Sequence, residues 1–129
     1  MANRYGQAAL IAAEQASSGS ISPVARWENA MEAVYPTSPA ARNKGGPRGA
    51  FLGLCEEGLV KGIPAGSYAA TKLNKAYAIR AVALLADEAH HWSTTTLWQA
   101  VTGGIGKTHN SQMDIVLALW NNGHIVNKP

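Results

Sequence analysis

The sequence predicts a mainly α-helical fold: one domain over residues 1–129, built as an orthogonal bundle of five or six helices. The length fits a single domain, and apolar residues make up 47% of the chain while aromatic residues make up only 7%. Alanine therefore supplies much of the apolar content, and it is the strongest helix former because it loses no side-chain entropy in a helix. Apolar residues also recur at helical spacing, most regularly at Val24, Trp27, Met31 and Val34.

Two helices are predicted at the N-terminal end. The first is alanine-rich and runs from Asn3 to about Ala16. The second begins after Ser22, whose hydroxyl can cap the first amide groups, with Pro23 at the first helical position, where a missing N–H does no harm. Pro36 and Pro39 end it, because proline cannot continue a helix.

The middle of the chain predicts a loop and two further helices. Residues 40–46 combine glycine with basic residues, so we expect a flexible basic loop. Pro47 then opens a helix that ends near Gly58, a residue suited to the left-handed conformation that follows many helices. The segment from Ala69 to Ala89 is apolar on nearly every side, which is typical of a central helix covered by its neighbours.

The last third of the chain predicts two short elements. The segment from Thr94 to Val101 follows Ser93, a good cap, but is rich enough in β-branched residues to be either a helix or a strand. Ser111 can cap the last helix, with Asp114 three residues on in a capping-box-like position. Across all elements, the large side chains expected to be mostly buried are Trp27, Met31, Leu73, Tyr77, Leu84, Trp98, Leu117 and Trp120.

Basic residues are concentrated in the middle of the chain. The segment from Arg42 to Arg80 holds seven basic and two acidic residues, a net charge of +5, whereas the remaining residues sum to −2. Such a segment indicates an anionic partner; a solvated surface with a modest charge imbalance is the competing interpretation. The basic loop also precedes a predicted helix start, where free N–H groups favour an anion. The predicted anion- or nucleic-acid-binding residues are Arg42, Lys44, Arg48, Lys72 and Lys75.

Two further motifs lie near the C-terminal end. The run from Gly103 to Thr108 resembles the end of a phosphate-binding P-loop, but Val101 stands where that motif needs its first glycine, so we interpret the run as a connection between helices. The segments Thr94–Val101 and Asn110–Asn121 loosely match a helix-turn-helix, although ordinary helical packing is favoured because the link between them is long. The polar residues near the start of that second helix are Lys107, Thr108, His109, Asn110 and Gln112.

No catalytic residue, metal site or cofactor is predicted. Cys55, the single cysteine, lies among apolar neighbours in a predicted helix, where a thiol is usually buried and unreactive. His90 and His91 are adjacent, so on a helix they point about 100° apart and do not easily share one ion. Glu56 and Glu57 diverge for the same reason, so no carboxylate pair is expected.

The run from Gly53 to Pro64, continued from Asn74 to Ala78, resembles a family of small uncharacterised bacterial proteins that form a domain of unknown function. The resemblance implies a bacterial source and a discrete domain. It implies no activity and assigns no site.

Together these patterns predict a non-enzymatic helical binding module whose partner is anionic, either nucleic acid or an acidic protein. The alternative is a small enzyme or ligand-binding protein acting on a phosphate-bearing or other anionic small molecule, for which the sequence holds no complete catalytic motif. No stretch approaches the ~20 apolar residues that span a bilayer, and no signal peptide is evident, so we expect a cytoplasmic protein without a membrane partner. Apolar residues left uncovered between Ala69 and Ala89 would allow a homodimer.

Overall fold

The computed structural model describes residues 3–14, 21–68, 70–87, 92–104, 109 and 111–126. This part of the chain is a helical bundle, which confirms the predicted fold class. None of its helices is both long and apolar enough to cross a membrane. The elements are α1 (Arg4–Glu14), α2 (Pro23–Val34), the single turn α3 (Pro39–Arg42), α4 (Gly45–Glu56), α5 (Lys72–Ala86), α6 (Thr94–Thr102) and α7 (Gln112–Asn121).

The predicted loop at residues 40–46 is wrong. Its first part belongs to α3, because Pro39 occupies the first helical position and the Ser38 hydroxyl accepts a hydrogen bond from the Ala41 N–H at 3.3 Å. Its last part belongs to α4, which begins at Gly45 rather than at Pro47. The basic residues of this segment therefore sit on helical backbone or directly beside it.

The centre of the bundle is formed by α4 and α7 rather than by α5. Eight of the twelve residues of α4 and six of the ten residues of α7 are buried, against four of the fifteen residues of α5. The two central helices pack against each other, and α7 also contacts α1, α5 and α6. The prediction of a central helix from Ala69 to Ala89 is thus wrong for the residues that the structure describes; Ala69 and Ala89 lie outside them.

The exposed residues of α5 share one side of the helix. At about 100° per residue they fall within an arc of roughly 100°, opposite the buried Ala78, Ala81, Val82 and Leu85. The apolar sequence hid this pattern because alanine is tolerated on either side of a helix. We call the exposed set the α5 outer face; it comprises five residues of α5 and the residue that follows the helix: Lys72, Leu73, Ala76, Arg80, Ala83 and Asp87.

The predicted core is confirmed in part. Trp27, Met31 and Trp98 are buried, and Trp27 stacks on the ring of Phe51 with 5.2 Å between centroids. Leu73 was predicted to be buried but is 52% exposed, since it lies on the α5 outer face. The remaining predicted residues are half-buried and pack against the core: Tyr77, Leu84, Leu117 and Trp120.

Two glycines of α4 allow α5 to approach at backbone distance. A Cβ added to Gly53 would lie 2.6 Å from the Cα of Lys75, and one added to Gly49 would lie 2.6 Å from the Cβ of Asn74. Both distances are shorter than real carbon contacts, so only glycine fits without displacing α5. A Cβ added to Gly45, one turn before Gly49 on α4, would meet nothing within 4 Å, so this position does not require glycine.

The caps of the later helices differ from one another. The segment Thr94–Val101 is helical, and Ser93 caps it in a capping box with Thr96, as the sequence allowed. Ser111 does not cap α7: its backbone is left-handed, with φ 64°, and its side chain makes no capping bond. His109 replaces it, because its Nε2 accepts a hydrogen bond from the Met113 N–H at 3.0 Å.

The glycine contact predicts opposite outcomes for two matched substitutions. Gly53→Ala should lower the free energy of unfolding by about 1–3 kcal/mol, because overpacking against the α5 backbone outweighs the gain in helix propensity. Gly45→Ala should leave stability unchanged or raise it by up to about 1 kcal/mol, since nothing stands in its way. Urea denaturation of both variants measures the difference, and equal stabilities would contradict the contact.

The His109 cap predicts a loss of stability in mild acid. Burial lowers the pKa of His109, while Asp114 acts weakly in the opposite direction. The folded protein therefore favours the neutral ring, so this contribution to stability is present above the ordinary histidine pKa of about 6.5 and is lost as pH falls through the lower folded pKa. Protonation would also remove the lone pair that caps Met113.

The test compares wild type with His109→Gln and His109→Ala by urea denaturation between about pH 5 and pH 7.5. Gln keeps an acceptor but does not titrate, so the stability difference between this variant and wild type should change with pH. Ala should cost about 1 kcal/mol near pH 7.5, the usual value of a lost N-terminal cap. A difference between wild type and the Gln variant that is constant with pH would disprove the role of His109.

Candidate anion-binding site

The starts of α4 and α5 lie side by side, joined by one asparagine. The Asn74 Nδ2 donates a weak hydrogen bond to the carbonyl oxygen of Gly45 at 3.4 Å, and its Oδ1 accepts one from the Gln112 Nε2 at 3.2 Å. The first turns of α4, α5 and α7 therefore meet at Asn74. Lys44 directly precedes α4, and Lys72 is the first residue of α5.

Lys44 and Lys72 are the two predicted site residues that remain available. Both are exposed, and neither forms an ion pair with any residue in the described ranges. Each sits at a helix start, where the unpaired N–H groups add positive potential. Because Asn74 links the two helix starts, Lys44 and Lys72 lie at the same end of the bundle.

Arg42 is engaged inside the protein. Its Nη1 donates to the carbonyl oxygens of Tyr35 at 2.8 Å and Pro36 at 3.1 Å, which satisfies acceptors at the end of α2. Arg42 also lines a cleft of about 200 Å³ together with Glu28 and Glu32. Two carboxylates in the same cleft oppose the approach of an anion, so Arg42 stabilises the fold rather than forming part of an anion site.

Arg48 and Lys75 are also placed beside carboxylates. The Nη2 of Arg48 lies 4.0 Å from the Oε2 of Glu28, an exposed and weak ion pair. The Nζ of Lys75 lies 3.1 Å from the Oε1 of Glu56 and 3.1 Å from the Oε1 of Glu57. Glu56 and Glu57 therefore both contact one ammonium group. The expectation that they diverge was wrong because it did not consider Lys75, which α5 places beside both carboxylates.

The pKa values of this cluster shift in the direction expected of stable ion pairs. The backbone N–H groups of Tyr68 and Ala70 donate to the Oε2 of Glu56 and, with Lys75, hold the pKa of that carboxyl below its usual range. Hydrogen bonds to Glu57 and Glu56 raise the pKa of Lys75. Glu56 therefore ties the segment before α5 to the end of α4, and Lys75 is not free to bind an external anion.

Arg80 was missed as a site residue by the sequence analysis. It is exposed on the α5 outer face, two turns after Lys72, and forms no ion pair within the described part of the chain. The two residues are separated by about 12 Å along the helix axis. The spacing of eight residues places Lys72 and Arg80 on the same side of a helix. The many apolar residues around them in the sequence are instead typical of a buried helix.

The competing motifs receive no support from the described residues. Cys55 is fully buried, and burial raises the pKa of its thiol to about 12, which leaves no thiolate at neutral pH. The start of α7 faces inward: Gln112 and Met113 are buried, and the ring of His109 packs on Trp98 with 5.1 Å between centroids. An inward-facing start does not suit a DNA recognition helix.

Several residues of the earlier motifs lie outside the described ranges. His90 and His91 are among them, as are the last four residues of the P-loop-like run, 105–108, and Asn110. Within the described ranges, no three histidine, cysteine or acidic side chains are placed to hold a metal ion.

A larger groove of about 560 Å³ lies between α1 and α7. Its floor is apolar, formed by Leu10, Leu117 and Ala118, and its charged lining residue is Asp114. A carboxylate without a cation beside it in the lining does not attract an anion. The groove therefore lacks the positive charge that the lysines provide at the helix starts.

Comparison with known proteins places the chain in a family. No curated protein and no solved structure is similar to the chain at a significant level. The sequence profile of DUF6979, described as a family of unknown function, matches residues 2–126. The match covers nearly the whole chain and carries no activity with it. The chain therefore belongs to DUF6979, a family of unknown function.

Proposed function

We propose that the protein is a non-enzymatic binding module whose partner is nucleic acid, contacted through Lys44, Lys72 and Arg80. The observation that supports the proposal is the difference between the cations. Arg42 and Lys75 are held by internal partners and Arg48 lies beside Glu28 in a weak ion pair, while the three proposed contact residues are exposed and unpaired among the described residues. A cation left without a carboxylate attracts a polyanion at low cost in desolvation.

The arrangement suits a repeating polyanion better than a single small anion. Lys72 and Arg80 are about 12 Å apart along one helix, so each can meet a separate phosphate without bending towards the other. Successive phosphates on a nucleic acid strand can meet both cations at once. Acidic proteins present carboxylates at less regular intervals and are the competing partner.

Among the described residues of this surface, the one carboxylate that could move a proton for the enzyme alternative is Asp87, which follows the end of α5. The α5 outer face contains no histidine or cysteine, and Asp87, its one carboxylate, lies about 22 Å along the helix from Lys72. Phosphate-ester chemistry would require a base within hydrogen-bond reach of the bound substrate. The proposal therefore assigns binding without catalysis.

The proposed setting is the bacterial cytoplasm. The bacterial source follows from the resemblance noted in the sequence. A single buried thiol is compatible with a reducing compartment, and nucleic acid is abundant there.

Binding should weaken with salt according to the number of phosphates contacted. With three contacts, the logarithm of the affinity for duplex DNA should fall against the logarithm of salt concentration with a slope of about −2.7. Lys72→Ala should reduce that slope by about 0.9, because one phosphate contact is lost. Fluorescence anisotropy with a labelled mixed-sequence duplex, titrated at several salt concentrations, measures both slopes.

Lys61→Ala is the matched control. Lys61 is also exposed and unpaired in the described part of the chain, but it follows the far end of α4, where its backbone N–H donates to His124. The Lys61→Ala substitution removes the same charge at a position about 18 Å or more from the start of α4, so it should leave the salt slope unchanged. Absence of binding at low salt, or equal effects of the two substitutions, would rule out the proposed surface.

A further inference from the structure

We infer that Leu73 contacts the face of an unstacked nucleobase, so that the preferred ligand has accessible base faces. The inference rests on the proposed function and names the class of nucleic acid that this surface takes. Leu73 would supply an apolar, salt-independent part of the affinity, beside the salt-dependent part supplied by the lysines and Arg80.

The exposure of Leu73 is unusual within this protein. It is 52% exposed, whereas the other large apolar side chains of α5 are buried or half-buried. The second exposed large apolar residue in the described ranges is Val126, at 36%, which lies beside Leu59 beyond the far end of α4. The most exposed leucine is therefore at the cationic end of the molecule.

The positions of the cations around Leu73 match the chemistry of a nucleotide. Leu73 and Arg80 are nearly in line along the helix, about 20° apart, and Lys72 lies at the other margin of the outer face. Lys44 is brought to the same end by the hydrogen bond between Asn74 and Gly45. A ligand that matches this pattern has an apolar surface with anionic groups on either side of it. A nucleotide in a strand has this arrangement, because the face of its base lies between neighbouring phosphate groups.

The α5 outer face also permits close approach of a ligand. Ala76 and Ala83 lie between its two margins, so no long side chain covers the helix backbone there. Apolar side chains such as leucine are known to contact or wedge between unstacked bases. An acidic peptide would satisfy the cations but would leave Leu73 in water.

A second copy of this chain is a poorer occupant. In an antiparallel pairing of two outer faces, the symmetry axis would fall near the middle of the exposed stripe, close to Arg80. Two arginines would then face each other at the axis, while Asp87 of each copy would lie near Lys72 of the other. The face has two cations, Lys72 and Arg80, against one carboxylate, so its net positive charge favours a polyanion over a second copy with the same charge.

The test compares a single-stranded mixed-sequence DNA with the duplex of the same sequence, by anisotropy at fixed and varied salt. Leu73→Ala should weaken binding to the single strand about tenfold, equivalent to about 1.4 kcal/mol, with no change in the salt slope. Leu73→Phe should bind at least as tightly as wild type, because an aromatic ring stacks on a base. Val126→Ala, an exposed apolar truncation at the other end, should have no effect.

The outcomes separate this inference from the proposed function. If Leu73→Ala lowers the affinity for the single strand alone, Leu73 contacts unpaired bases. If the substitution lowers the affinity for the duplex equally, Leu73 contacts a distorted base step. Both results support contact with an accessible base face. Unchanged affinity in Leu73→Ala, while Lys72→Ala still reduces the salt slope, overturns the inference and leaves the proposed function standing. A Leu73-dependent dimer in analytical ultracentrifugation overturns it in favour of a second copy.

Discussion

The close contact between α4 and α5 determines how the rest of the surface is arranged. Gly49 and Gly53 carry no side chain, so the first turns of α5 lie against the backbone of α4. That approach brings Lys75 to the two carboxylates at the end of α4 and Asn74 to the start of α4. The opposite side of α5 is left facing outward, and this side carries Lys72, Leu73 and Arg80. One steric constraint thus fixes both the internal ion pairs and the exposed cations.

Net charge alone describes this protein poorly. The basic middle segment holds seven cations, but Arg42 satisfies carbonyl groups at the end of a helix and Lys75 is held between two glutamates. Such cations stabilise the fold and add little attraction for a partner, because their field is largely cancelled nearby. The field that reaches a partner comes from the side chains without an internal partner. For Lys44 and Lys72, the position at a helix start reinforces the field, since the helix dipole has the same sign there.

Most helices could be predicted from the sequence, because proline, serine and glycine mark their ends and apolar spacing marks their inner faces. The peripheral position of α5 could not be predicted, because alanine gives the same apolar signal on a buried side of a helix and on an exposed one. The His109 cap was missed because a histidine three residues before a helix is not a recognised capping pattern, whereas a serine directly before it, such as Ser111, is. At the candidate site, charge and position in the sequence suggested Lys44 and Lys72, and the structure leaves both exposed. The internal partners of Arg42 and Lys75 depend on tertiary packing, which charge spacing does not encode.

The central claim is that the start of α4 and the α5 outer face form one binding surface for nucleic acid. The most direct measurement is the change in backbone amide NMR signals during titration with a single-stranded oligonucleotide. The account predicts that changes concentrate at residues 44–45 and 72–80, with the groove between α1 and α7 unaffected. Changes concentrated at α1 and α7, or no saturable change at low salt, would contradict it.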